Sequence, residues 1–151
     1  MKQNKIQQLT ETEKAYIAGF LDADGCVGIS RNKSQSKAHE YNYVVRAMII
    51  NSDFEFIKWL KEKTGIGTAY ECKKGYKPNW SPIHRWQATA KKGKEFLEQI
   101  YPYLIVKKYR TEQCIKMPHQ GHLGKQRSNT DYNLQETLFY ELKKLNKRGL
   151  K

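Results

Sequence analysis

Asp22 and Asp24 lie two residues apart in the run Asp22-Ala23-Asp24-Gly25, and the residues upstream read as a helix. Carboxylates at a helix C-terminus sit where the helix dipole is already negative. Positive charge should offset that field, and a divalent cation would do so through hard oxygen ligands. The competing reading is an Asx turn in which the two side chains merely close the chain before Gly25. For the bare four residues the turn is the favoured reading. A second constellation, Cys114, His119 and His122, has zinc-ligand chemistry but lacks a fourth nearby ligand and falls in an irregular segment.

The elements that must position these groups follow from pattern. Thr10, followed three residues later by Glu13, is a capping box, so a helix should start near Glu11 and end at Gly25. Ala15, Ala18 and Gly19 give that helix a face almost without side chains, which a second helix backbone could approach closely. Val27, Ile29 and Arg31 then alternate with Gly28, Ser30 and Asn32, a strand with one apolar face. After the polar loop Lys33 to Glu40, Tyr43, Val45, Ala47 and Ile49 form one face of a second strand. Ser52 or Asp53 caps a helix whose buried side is Phe56, Ile57, Leu60 and Trp59, closed by Lys63 and Gly65. Residues 66–73 and 83–90 read as strands, and 92–101 and 107–117 as helices. Paired strands between helices predict an α+β fold with an antiparallel sheet. Three segments are expected: a domain over 1–117, a linker over 118–131, and an amphipathic helix over 132–151 with Leu134, Leu138, Leu142 and Leu145 on one stripe.

Bulk properties narrow the class of partner. Twenty-eight Lys and Arg against fifteen Asp and Glu give +13 over 151 residues, an excess typical of phosphate-backbone binding. Three scattered cysteines, with no CxxC pair, argue against a disulfide framework. The polar N-terminus lacks a secretory pattern, and the longest apolar runs are too short to cross a bilayer. The expectation is an intracellular protein, in the cytoplasm or an organelle, with no membrane partner.

The nine residues Ile17-Ala18-Gly19-Phe20-Leu21-Asp22-Ala23-Asp24-Gly25 closely resemble the signature of the LAGLIDADG homing endonucleases. Five letters are identical, Ala23 makes six, and the other three are apolar exchanges. Inside this longer pattern the simple turn is no longer the favoured reading of Asp22 and Asp24. The resemblance extends over about residues 11–117. It implies an αββαββα fold with a saddle-shaped sheet, here followed by an extra C-terminal helix. It also implies double-strand cleavage of a long pseudo-palindromic DNA site, within an intron host. One motif copy implies a homodimer with motif helices packed through Ala15, Ala18, Gly19 and Asp22. Asp24 then becomes the metal-binding carboxylate, with the Ala23 carbonyl as a further oxygen ligand and Mg²⁺ as the cofactor. The stretch Ile100-Tyr-Pro-Tyr-Leu-Ile-Val-Lys107 resembles the family segment ending in a catalytic lysine, and Asn51 matches a polar position of the solvent network.

In that family the open sheet face enters the DNA major groove. Strand alternation turns Ser30, Asn32, Arg46, Arg85 and Gln87 outward here, and Arg and Gln suit bidentate reading of guanine and adenine. Lys33, Lys37, Lys73, Lys74 and Lys77, in or beside loops, suit phosphates. Two other functions share the pattern: a DNA-binding regulator that has lost cleavage, and a maturase acting on intron RNA. The first usually lacks the acidic residue that Asp24 retains here.

Overall fold

The structure is a computed structural model, and it describes residues 5–73, 77, 79–118, 120 and 127–146. Helix α1 (Glu11–Asp24) begins as expected, with the Thr10 hydroxyl accepting from the Glu13 amide at 3.2 Å. It leads directly into β1 (Gly25–Lys33), followed by β2 (Tyr41–Asn51), α2 (Phe54–Thr64), β3 (Thr68–Cys72) and β4 (Ile83–Thr89). Helix α3 (Ala90–Ile100), a 3-10 turn (Tyr101–Tyr103), α4 (Lys108–Ile115) and α5 (Asn129–Leu145) complete the described chain.

The four strands form one antiparallel sheet in the order β1-β2-β4-β3. Val27, Tyr43, Val45, Ala47, Ile49, Trp86 and Ala88 are buried on one face, against Ile17, Leu21, Ile57, Leu60, Phe96, Leu97 and Ile100 of the helices. Of the four residues expected on the buried side of α2, Ile57 and Leu60 are fully buried. Phe56 and Trp59 are only partly so. They belong to an aromatic group that also includes Tyr16 and Phe20, with the Phe20 and Phe56 rings stacked at 4.1 Å.

The C-terminal segment joins the same core. β4 pairs with β2 only from Arg46 to Asn51, so among the described residues the first half of β2 lacks a strand neighbour on that side. Gln120 takes its place: its amide nitrogen donates to the Tyr43 carbonyl and its oxygen accepts from the Val45 amide, both at 3.0 Å. Arg127 donates to the Tyr41 carbonyl at 2.8 Å and to Gln135 at 2.7 Å. Arg31, on the inner face of β1, lies over the rings of Tyr41 and Phe139 and donates to the Tyr140 hydroxyl at 3.0 Å. The buried stripe of α5 is accordingly Gln135, Leu138 and Leu142. Leu134 and Leu145 of the expected leucine stripe are exposed, because the aromatic dock rotates the helix toward Tyr132 and Phe139.

Candidate active site and nucleic-acid interface

The junction of α1 and β1 depends on Gly25. Its backbone is extended (φ −91°, ψ 172°), and a Cβ there would meet Leu21 Cδ1 at 2.5 Å and the Leu21 carbonyl oxygen at 2.7 Å. Glycine thus allows the strand to leave the helix without a loop, which fixes the last helical residues against the end of the sheet. Close approach, not a left-handed cap, is the reason for the glycine.

Two residues apart, the two carboxylates have different surroundings. Asp22 accepts the backbone amides of Ile105 (2.8 Å) and Val106 (3.2 Å) on one oxygen and that of Lys107 (2.9 Å) on the other. The Lys107 ammonium in turn donates to the Asp22 carbonyl. Burial opposes ionisation of Asp22, but the three amides and the Lys107 charge outweigh it and hold its pKa below the usual carboxylate value. Part of the negative helix end is therefore neutralised within the chain. Asp24 and Ala23 are exposed, and among the described residues the Asp24 carboxylate makes no hydrogen bond or ion pair. No group of three or more His, Cys, Asp or Glu side chains suited to a metal occurs among the described residues.

The register brings Asn51 to the same end of the sheet. Gly25 pairs with Ile49, so Asn51 lies two residues beyond the pair that follows Asp24. Its side-chain oxygen accepts from the Asp53 amide at 2.8 Å and Asp53 caps α2, which leaves the Asn51 amide nitrogen for other partners. The cross-strand neighbour of Asn51 is His84, whose ring lies 4.5 Å from that of Phe54 and whose Nδ1 is buried without a partner among the described residues. His84 was not anticipated, since β2 and β4 are neighbours without being consecutive.

Ser30, Asn32, Arg46, Arg85 and Gln87 fall together on the sheet face opposite the helices. Register pairs Gly28 with Arg46, Met48 with Gln87, and Ile50 with Arg85. Pairing with β3 adds Thr68 beside Gln87 and Tyr70 beside Arg85. Arg46 donates to Gln87 at 3.3 Å and Arg85 to the Tyr70 hydroxyl at 3.2 Å, so the longest side chains are braced in pairs. No Asp or Glu occupies this face among the strand residues. Lys33, Lys37, Lys73 and Lys77 are exposed around it; Lys74 lies outside the described residues.

The small face of α1 divides. Ala15 and Gly19 are exposed, and a Cβ at Gly19 would meet nothing within 4 Å. Ala18 is wholly buried in the chain's own core, so it offers no surface to a partner and the expectation of an intersubunit contact there is corrected. Tyr16 is 52% exposed beside Ala15 and Gly19, and Ile105 and Val106 are 85% and 75% exposed where Asp22 holds them. Cys114 is buried in α4, and burial pushes its thiol up to about 12; His119 and His122 lie outside the described residues.

The αββαββα order, with a motif helix feeding straight into the first strand of an antiparallel sheet, is the LAGLIDADG fold expected from the sequence. The chain belongs to the LAGLIDADG endonuclease family, whose profile matches residues 17–117. Among solved structures it is similar to the homing endonuclease I-CvuI in complex with the I-CreI target. That match has a TM-score of 0.75 and 17% identity, over 92% of this chain and 85% of that one. It is also similar to the archaeal intron-encoded I-Vdi141I complexed with DNA, with a TM-score of 0.73 and 22% identity over 92% and 87%. A third is I-SmaMI bound to uncleaveable DNA, with a TM-score of 0.60 and 18% identity over 72% of this chain and 36% of that one. No curated protein sequence matches the chain.

Proposed function

We propose that two copies of this chain form a site-specific homing endonuclease that makes double-strand breaks in a long pseudo-palindromic DNA site. The observation that carries the reading is the contrast at the end of α1: Asp22 is fully engaged within the chain, while Asp24 is exposed and unengaged. Asp24 and the Ala23 carbonyl are hard oxygen donors, and their exposure fits a hard divalent cation, for which Mg²⁺ is the natural choice. When bound, such an ion supplies Lewis-acid polarisation of the scissile phosphate and a more acidic water.

The chain's own residues do the rest. Lys107, tethered through its ammonium to the Asp22 carbonyl and through its backbone to the Asp22 carboxylate, is a fixed cation beside the reacting phosphate. It stabilises the negative charge that builds up as the P–O bond breaks. The Asn51 amide nitrogen orients the attacking water. One chain supplies only one unengaged carboxylate at this site, and a two-fold axis would supply the second, one per strand. The exposed Ala15–Gly19 face, the half-exposed aromatics Tyr16, Phe56 and Trp59, and the apolar Ile105–Val106 tip support a second copy docking along α1. The Ala15 and Gly19 side of the contact lets the two helix backbones approach closely.

The acid-free sheet face reads bases through Arg46, Arg85, Gln87, Ser30 and Asn32. Lys33 and Lys73 hold phosphates at its margins. A dimer carries twice the +13 of one chain, so binding should weaken steeply with salt. An origin within an intron, like that of the intron-encoded I-Vdi141I, is part of the same proposal.

The test combines stoichiometry with chemistry. Sedimentation with a full-length site should give two chains per duplex, and Mg²⁺ should convert the bound duplex to two double-stranded fragments. One chain per full site would remove the symmetry argument, and a bound duplex left intact in Mg²⁺ would remove the enzyme.

A further inference from the structure

We propose that the cleft between the outer edge of β1 and the C-terminal half of α5 is a binding site for a DNA-backbone phosphate, clamped by Arg110 of α4 and Lys143 of α5. The inference rests on the duplex seated on the sheet, and it gives α4 and α5 a part in holding it. The cleft is a hollow of about 300 Å³ whose lining includes Gly28, Ser30, Arg46, Arg110, Leu142 and Lys143. β1 is an edge strand, so the cleft lies at the margin of the sheet, not beneath it.

Its electrostatics are one-sided. Among the described residues, three cationic side chains line the space and no Asp or Glu does. None of the three makes an ion pair among the described residues, and Arg46 Nε is buried without a partner. All fifteen acidic side chains of the sequence belong to described residues, so none remains to be placed in the cleft. Like charges gathered beside the apolar Phe139 and Leu142 repel one another. An anion relieves that repulsion. Gly28 contributes room, since a Cβ there would meet nothing within 4 Å.

Continuity identifies the anion. Ser30 and Arg46 belong both to the cleft lining and to the outward sheet face, so one duplex can occupy both. Base edges lie over the sheet, and one strand's backbone passes the β1 margin where Arg110 and Lys143 converge. A contact to phosphate carries no sequence information, which separates this site from the base-reading residues.

The experiment uses the full chain carrying Asp24→Asn, so that binding is read without cutting, and compares it with the same chain bearing Arg110→Gln and Lys143→Gln. The slope of log affinity against log salt should become shallower by about one per cleft. The loss of affinity should be equal on the specific duplex and on a scrambled one. Ethylation of one flanking phosphate per half-site should interfere with binding before the substitutions and not after. Lys143→Gln alone, on the exposed face of α5, should give a smaller change of the same sign, whether or not the Arg110 variant folds.

An unchanged slope in a chain that otherwise binds DNA overturns the inference and leaves the endonuclease reading intact. A loss confined to the specific duplex also overturns it, by making these residues base readers. So does inorganic phosphate raising the Tm of the DNA-free chain, but not of the double variant, with the DNA slope unmoved, which would make this a site for free phosphate. A parent chain that binds no duplex DNA would refute the proposed function and this inference together.

Discussion

The α5 dock and the end of α1 treat polar groups in opposite ways. At the dock, Arg31, Gln120, Arg127 and Gln135 each find partners inside the chain, and their hydrogen bonds run to carbonyls, amides and a tyrosine hydroxyl. At the end of α1, Asp22 is equally well satisfied, but Asp24 beside it is exposed and unengaged. Completed hydrogen bonding marks groups that hold the fold together. Exposed charge without an internal partner, placed by a rigid junction, marks groups left for something outside the chain. Arg31 and Arg127 hydrogen-bond within the chain, whereas the Arg110 and Lys143 side chains make no hydrogen bond or ion pair among the described residues, four cations that composition alone cannot tell apart.

Substitutions should separate the two kinds of region. Asp24→Asn should lower cleavage by about a thousandfold or more, the scale of losing several kcal/mol of transition-state stabilisation. Its Tm and DNA affinity should stay close to those of the parent, because no internal contact is lost. Lys107→Ala should slow single-turnover cleavage by about 10- to 100-fold while weakening binding much less; equal losses in both would assign Lys107 to binding alone. Arg127→Ala should do the reverse, costing about 2 kcal/mol of stability in chemical denaturation with cleavage at low temperature unchanged.

Gly19→Leu offers a sharper separation. The space beside Gly19 is open within one chain, and leucine is a better helix former by about 0.5–1 kcal/mol. The isolated subunit should therefore be no less stable, while sedimentation shows loss of the dimer. A dimer that survives would move the axis away from this face.

The smallest effect concerns pH. The folded pKa of Asp22 is depressed, so its contribution to stability is complete above the unfolded value near 3.8 and is lost as pH falls through the lower folded value. Asp22→Asn should be less stable than the parent at neutral pH, and the gap should narrow as pH falls from about 3.8 through the lower folded value. A gap constant down to acid pH would mean that the amides of residues 105–107 do not depend on the ionised carboxylate.

Much of this is legible in the sequence. Thr10, Gly25 and Gly65 bound their helices because capping and close approach are local properties. Alternation sent five polar residues to the outward face because the strand period admits only two faces. What could not be read was long-range. The partners of Asp22 are more than eighty positions away, and the β1-β2-β4-β3 order that sets His84 beside Asn51 is not implied by strand sequence. Ala18 and Gly19 are adjacent small residues on one helix, and only packing shows that one is core and the other surface. Arg31, a cation on an apolar face, makes sense once the α5 aromatics surround it.

The central claim is that Asp24 acts on a phosphodiester bond and has no structural duty. The most direct measurement incubates the parent chain and Asp24→Asn with a duplex that both bind, in Mg²⁺, and records affinity and double-strand cleavage on the same samples. Matching affinities with fragments from the parent alone is the predicted result. Fragments formed at the parent's rate by Asp24→Asn would contradict the account.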